Sequence, residues 1–152
     1  MTAAETEDQR IARNWDEILQ ELRVTQTGTQ ILLGFLLTIP FQVAFAELDG
    51  AQIAVYLTLV IVAAVATILA LSPVALHRAL FRRGAKPQLV RAAHILLRLA
   101  LAAIALALSG TVFLIFDVVI DHPAALIAGG ATLALTVAMW IVLPTVLRGP
   151  PE

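Results

Sequence analysis

Thr27, Gln30, Gly34, Thr38 and Gln42 stand three or four residues apart, so on a helix they share one face roughly 120° wide. Amides and hydroxyls at that spacing inside an apolar stretch have two uses. They can hydrogen-bond a neighbouring helix, at about 0.6 to 2 kcal/mol each, or they can wall a narrow hydrated path. The ionisable groups inside apolar stretches are Arg98 and Asp117, both near the ends of their runs. Such groups are functional suspects by default. Arg98 can extend its guanidinium to the headgroups, or hold a lipid phosphate or an acidic side chain. Asp117 joins Asp121, His122, Glu47 and Asp49 in an acidic rim, read as solvated turn residues, as a vestibule that attracts cations or, least readily, as a metal site. Ser109-Gly110 faintly resembles an intramembrane nucleophile, but no histidine of the remaining span could serve as its base. With no cysteine, thiolate chemistry, disulfides and Cys-based metal sites are excluded. No catalytic, cofactor-binding or metal-binding residue is predicted, and the chain is not expected to be an enzyme.

The elements that must carry these residues follow from composition. Hydrophobic residues make up 60% of the chain and charged residues 14%, against roughly 45–50% and about 25% in soluble domains. Val24 to Ala46, Gly50 to Leu76, Leu99 to Phe116 and His122 to Leu147 contain no Asp, Glu, Lys or Arg. About 20 apolar residues cross the hydrocarbon core. The third run reaches that length once Ile95 to Leu97 are added across Arg98. The predicted fold is a single all-α membrane domain over 1–152, with four transmembrane helices at 27–46, 51–76, 95–120 and 124–147. Before them Ile11, Trp15, Ile18, Leu19 and Leu22 recur at helical spacing, which predicts an amphipathic interfacial helix over 7–25. Gly28 would allow a change of direction into the first span, and Pro40 would kink that span. Residues 77–94 read as a basic loop. Small residues (Ala63, Ala66 and Ala70; Ala100, Ala103, Ala107 and Gly110; Gly130, Ala134 and Ala138) read as helix-packing stripes.

Every basic residue falls at the N-terminus, in or beside the middle loop, or at the C-terminus, whereas the other two turns carry only acidic groups. The excess of Lys and Arg marks the cytoplasmic side, which places both termini and the 77–94 loop in the cytoplasm. The first 27 residues are polar and net acidic, unlike a cleavable signal peptide, so the first span is expected to remain as an anchor. The bias to Arg, Ala, Val and Leu suggests a bacterial source and a bacterial cytoplasmic membrane. Residues 1–27 carry a net charge of −3 and residues 77–98 a net of +6. The N-terminal helix is therefore expected to dock on the basic loop, through its apolar stripe, rather than on bare anionic lipid.

Asn14-Trp15-Asp16-Glu17, the block from Glu21 to Gln30, Gly34-Phe35-Leu36-Leu37, Pro40-Phe41, Pro73-Val74-Ala75, His77-Arg78 and Leu80-Phe81-Arg82 form a set of motifs over the first 100 residues or so. In these the chain resembles a family of small actinobacterial four-span membrane proteins of unknown function, some of which carry the label sodium:proton antiporter. Cation–proton exchange calls for a carboxylate deep in the membrane, and none of the four apolar runs has one at mid-depth. The resemblance directs attention to the cytoplasmic half of the first span and to the basic loop. The predicted function is an oligomeric interaction or scaffold component with a cytoplasmic working surface. That surface would comprise Trp15, Glu17, Glu21, Arg23, His77, Arg78, Arg82, Lys86 and Arg98. The alternative is a small ion channel or cation/proton transporter lined by the first span. Expected partners are the lipid bilayer, further copies of the chain and a membrane or cytoplasmic protein, with no nucleic acid and no cofactor.

Overall fold

A backbone in hydrocarbon has no water to pair with, so apolar runs of this length must satisfy their own N–H and C=O groups as helices. The computed structural model describes residues 7–80 and 86–147, and every described element is helical. The helices are α1 (Glu7–Thr38), α2 (Gly50–Leu80), α3 (Lys86–Val119), α4 (His122–Val137) and α5 (Leu143–Leu147). A π segment, Ala138–Val142, joins α4 to α5, and two short 3-10 turns, Ile39–Phe41 and Val43–Glu47, join α1 to α2. Four stretches are long and apolar enough to cross a membrane: Asp16–Phe41, Gly50–Leu76, Val90–Val119 and His122–Leu147. This is a four-span membrane fold.

α1 does not divide at Gly28 into a surface helix and a span; it runs unbroken from Glu7 to Thr38. The reason is the register of its buried face. Ile18, Leu22, Thr29 and Leu36 are all buried, at steps that keep to one side of the helix across Gly28. The polar residues around Gly28 need no turn to be satisfied, because Thr27 and Thr29 donate their hydroxyls to the carbonyls of Arg23 and Gln26 in the same helix. The segment expected as a loop over 77–94 is also helical at both ends, since α2 continues to Leu80 and α3 begins at Lys86.

Pro40 ends α1 rather than kinking it. Proline has no N–H for the carbonyl four residues back and its ring crowds that carbonyl, which here belongs to Leu36. The buried hydroxyl of Tyr56 on α2, the chain's single tyrosine, donates to the Leu36 carbonyl at 2.8 Å. The Tyr56 ring meets Phe45 edge-on, with centroids 5.2 Å apart. Leu36, Tyr56, Leu59, Ala63 and Leu114 then form one core cluster across α1, α2 and α3. A second cluster, Ile18 and Leu22 with Ala93 and Leu97, ties the first half of α1 to the start of α3.

α3 is the hub: it packs on α1, α2 and α4, and among the described α-helices α4 packs on α3 alone. Small residues set these approaches. Ala63, Ala66 and Ala70 of α2 and Ala100 and Ala107 of α3 are buried, and a Cβ on Gly110 would run into the Leu59 side chain. On α4 the packing stripe is Ala125 and Gly129, not the expected Gly130, Ala134 and Ala138, all three of which are exposed. A Cβ at Gly129 would lie 2.9 Å from Phe113 Cβ and 3.2 Å from the Ser109 carbonyl, whereas one at Gly130 would meet nothing within 4 Å.

Two outcomes follow for stability in detergent. Tyr56→Phe strands the Leu36 carbonyl and lowers unfolding stability by about 1–2 kcal/mol, read from a denaturation curve. Gly129→Leu pushes α4 off α3 and destabilises by about 1–3 kcal/mol. Gly130→Leu, one residue on, leaves the melting temperature of the single subunit unchanged; equal losses at the two glycines would mean that α4 is rotated from this register.

Candidate functional site

The predicted polar residues fall in three regions, and the structure treats each differently. Thr27, Gln30, Gly34 and Thr38 share the face of α1 roughly opposite to Thr29 and Leu36, and all four are exposed. Gln42 leaves this face altogether, because it lies beyond the end of α1 in extended backbone between the two 3-10 turns. The members of the seam are also unequal. Thr27 and Thr38 have spent their hydroxyls on the carbonyls of Arg23 and Phe35. At Gly34 a Cβ would meet nothing within 4 Å. Gln30 makes no side-chain hydrogen bond with any described residue. It stands roughly 15 Å along the helix from Pro40 at about 1.5 Å per residue, near the middle of a hydrocarbon layer about 30 Å thick.

At the basic end, Arg82 lies outside the described residues, as do the side chains of Trp15, His77 and Lys86. Glu17, Glu21, Arg23, Arg78 and Arg98 are exposed. Glu17 faces Arg13 one turn back at 3.9 Å, with both side chains more than half exposed, so the pair contributes little. No ion pair among the described residues joins α1 to α3. What joins them is the apolar cluster of Ile18, Leu22, Ala93 and Leu97. Ile18 and Leu22 are almost wholly buried there, and the described charged side chains of this half of α1, Arg10 to Arg23, are exposed.

The acidic rim resolves into structural roles. Asp49 and Gln52 form a reciprocal capping box at the start of α2: Gln52 N–H donates to Asp49 Oδ1 at 2.8 Å, and Asp49 N–H donates to Gln52 Oε1 at 3.1 Å. Gln52 then turns its amide Nε2 to Asp117 Oδ2 on α3, at 3.0 Å. The other oxygen of Asp117 meets His122 Nδ1 at the start of α4, at 2.7 Å. The His122 ring lies edge-on to Phe113, centroids 5.6 Å apart. Asp121 caps α4 through the Ala124 N–H at 2.8 Å. Three of the four acidic residues are therefore occupied by helix ends or by neighbouring helices, and Glu47 alone is exposed with no described partner. Among the described residues no group of three His, Cys, Asp or Glu side chains could hold a metal ion. Gln52 and His122, which complete this network, stand in the first turns of α2 and α4, and of the two the sequence alone places only His122 with the rim. Only the Asp-x-x-Gln spacing after Leu48 could have flagged the first, as a helix start.

Ser109 is buried where α4 crosses α3, and its hydroxyl has no hydrogen-bond partner. Its backbone carbonyl is one of the atoms that a Cβ at Gly129 would crowd, at 3.2 Å.

Gln52→Ala removes the capping box and the tie to α3 together, and lowers stability by about 1–2 kcal/mol. Asp117→Ala lowers the melting temperature as well, whereas Glu47→Ala does not. If Glu47→Ala and Asp117→Ala behave alike in a thermal melt, the network is not what joins α2, α3 and α4 at this end.

Comparison with curated proteins finds no match, and neither does comparison with solved structures. A family model does match: it describes a family of unknown function, DUF6328, and covers residues 4–144, so the four-span chain described above belongs to the DUF6328 family.

Proposed function

We propose that this protein is a non-catalytic interaction component of the membrane that assembles with copies of itself through the polar face of α1, with its basic end in the cytoplasm. The observation that carries this reading is Gln30. Its amide has two donors and one acceptor, it faces away from the fold at mid-depth, and no described residue meets it. Lipid offers no partner for such a group, and an amide facing hydrocarbon unpaired is costly. The neighbouring positions suit a helix–helix seam. Gly34 follows Gln30 by one turn and leaves open space above its Cα, so a second helix can come close. Thr27 and Thr38 extend the stripe without adding unpaired donors, because their hydroxyls are bonded within α1. Paired about a two-fold or higher axis, such faces bond Gln30 to Gln30. The outward Glu17, Glu21, Arg23 and Arg78 then repeat around the cytoplasmic end, and they form the surface on which a further protein would dock.

The same face supports one second reading. In a ring of subunits, α1 faces turned to a common axis would line a path rather than a seam, and Gln30 would meet water. The absence of a mid-depth carboxylate on α1 weighs against coupled proton exchange on that path.

Both readings are separated by one pair of measurements on full-length protein in nanodiscs and liposomes. With Gln30→Leu or Gly34→Leu, cross-linking yield should fall as association weakens roughly 3- to 30-fold, the effect of losing about 0.6 to 2 kcal/mol per hydrogen bond. Unchanged stoichiometry in both variants would defeat the seam. Cation or proton flux in the parent protein, abolished by Gln30→Leu while assembly persists, would establish the path instead.

A further inference from the structure

α4 lies close on α3 at one end and leaves it at the other. Along the α4 face that meets α3, Ala125 and Gly129 are buried, Thr132 and Thr136 partly so, and Trp140 is 43% exposed. The close end has only small side chains to admit α3, whereas the far end presents Thr136, Val137 and Trp140 and stands off. Pro144 adds to this. It has no N–H for the Trp140 carbonyl and its ring opposes that group, and the helix widens there to a π turn in which Leu143 N–H bonds back to Ala138. The result is an apolar groove of about 700 Å³ between the basic halves of α3 and α4, within the range of about 300–1,000 Å³ common for ligand sites. Ala102 and Ala105 form its floor on α3 and Val137, Trp140 and Ile141 its wall on α4. Among the described residues its only charged lining residue is Arg98, at the mouth.

The position of Arg98 selects the occupant. Arg98 and Asp117 are roughly 28 Å apart along α3 at about 1.5 Å per residue, close to the thickness of the hydrocarbon core, about 30 Å. With Asp117 in the network at one boundary, Arg98 stands at the other, at the level of lipid phosphates. The groove descends from there for about two turns, to Ala105 and Leu106. Arg98 makes no ion pair with any described residue, and His94 and Arg91, both exposed, lie on the same face of α3 one and two turns nearer the helix start. The approach past Arg91 and Arg98 thus leads to an apolar slot whose described lining has no acidic group. Basic pockets between transmembrane helices suit anionic lipid headgroups, and a lipid places an apolar chain directly beneath an anionic phosphate, as Arg98 and the slot require.

We propose that this groove holds one acyl chain of an anionic phospholipid, with the phosphate on Arg98. The site is formed within a single subunit and does not depend on assembly through α1. Full-length protein carrying Trp15→Phe has Trp140 as its only tryptophan, so brominated chains entering the groove quench its fluorescence directly. The probes are dibrominated phosphatidylglycerol and dibrominated phosphatidylcholine in mixed micelles at constant total lipid. Quenching by phosphatidylglycerol should saturate at a roughly fivefold lower mole fraction, the effect of one basic side chain at a lipid surface. Arg98→Gln should bring the two curves together, and Arg98→Lys should keep them apart. Arg98 is exposed and unpaired, so neither change threatens folding. Ala102→Phe should reduce quenching by both lipids by filling the slot. Arg78→Gln, an exposed arginine on α2 at the same end, should leave the preference in place. Coincident curves in the Trp15→Phe background would overturn the proposal. So would a preference that survives Arg98→Gln or is lost equally in Arg78→Gln. Absence of quenching by either lipid, as when a second copy fills the groove, would overturn it too.

Discussion

A carbonyl left without a donor in hydrocarbon must find one, and the fold is organised around the one that Pro40 creates. The Leu36 carbonyl loses its helical partner, and the Tyr56 hydroxyl supplies another from α2 at 2.8 Å. Pro40 stops α1, and that single bond sets its rotation against α2. It brings Phe45 onto the tyrosine ring and starts the cluster that includes Leu59, Ala63 and Leu114. Once Leu36 faces inward, Thr29, Leu22 and Ile18 follow it on the same side. Thr27, Gln30, Gly34 and Thr38 are turned outward by the same rotation. The position of the polar face is thus a consequence of where the helix must end.

Pro73 lies inside α2 without breaking it, and Pro144 is handled by widening rather than by a partner. Around Pro144 the last span passes through a π turn and continues, which moves its basic half off α3. At the acidic end the approach is fixed twice, by Gly129 against Phe113 and Ser109, and by Asp117 between Gln52 and His122. The span is therefore pinned at one boundary of the membrane and open at the other. π turns within α-helices are frequent at functional positions, and this one forms the wall of the groove beneath Arg98.

Two different forces hold the ends of α1. Within the hydrocarbon, lipid tails are as apolar as leucine, so close packing and hydrogen bonds do the holding. Towards the start of α1 the contact with α3 is apolar burial, of Ile18 and Leu22 on Ala93 and Leu97. Charge acts weakly there, because Asp16, Glu17 and Glu21 of α1 and Arg78, Arg91 and Arg98 of α2 and α3 are exposed, and among the described residues no ion pair joins these helices.

Much of this was legible without coordinates. Charge-free runs of about twenty residues must become helices in lipid, so four spans, their order and the clustering of basic groups at one end follow from the sequence itself. The apolar stripe of Ile18 and Leu22 was legible too, but not its continuation past Gly28, because the polar run from Thr25 to Gln30 looks like a boundary, whereas Thr27 and Thr29 bond within the helix. Hydropathy also could not orient the seam, since in a membrane a polar stripe suits an interior, a pore or another subunit equally well. Nor could it choose between the adjacent Gly129 and Gly130, which differ by about 100° around the helix. Those choices belong to the tertiary structure. Rotation about a helix axis changes no local energy in a span apolar on all sides, and only contacts as specific as Tyr56 with Leu36 and Gly129 with Phe113 can select it.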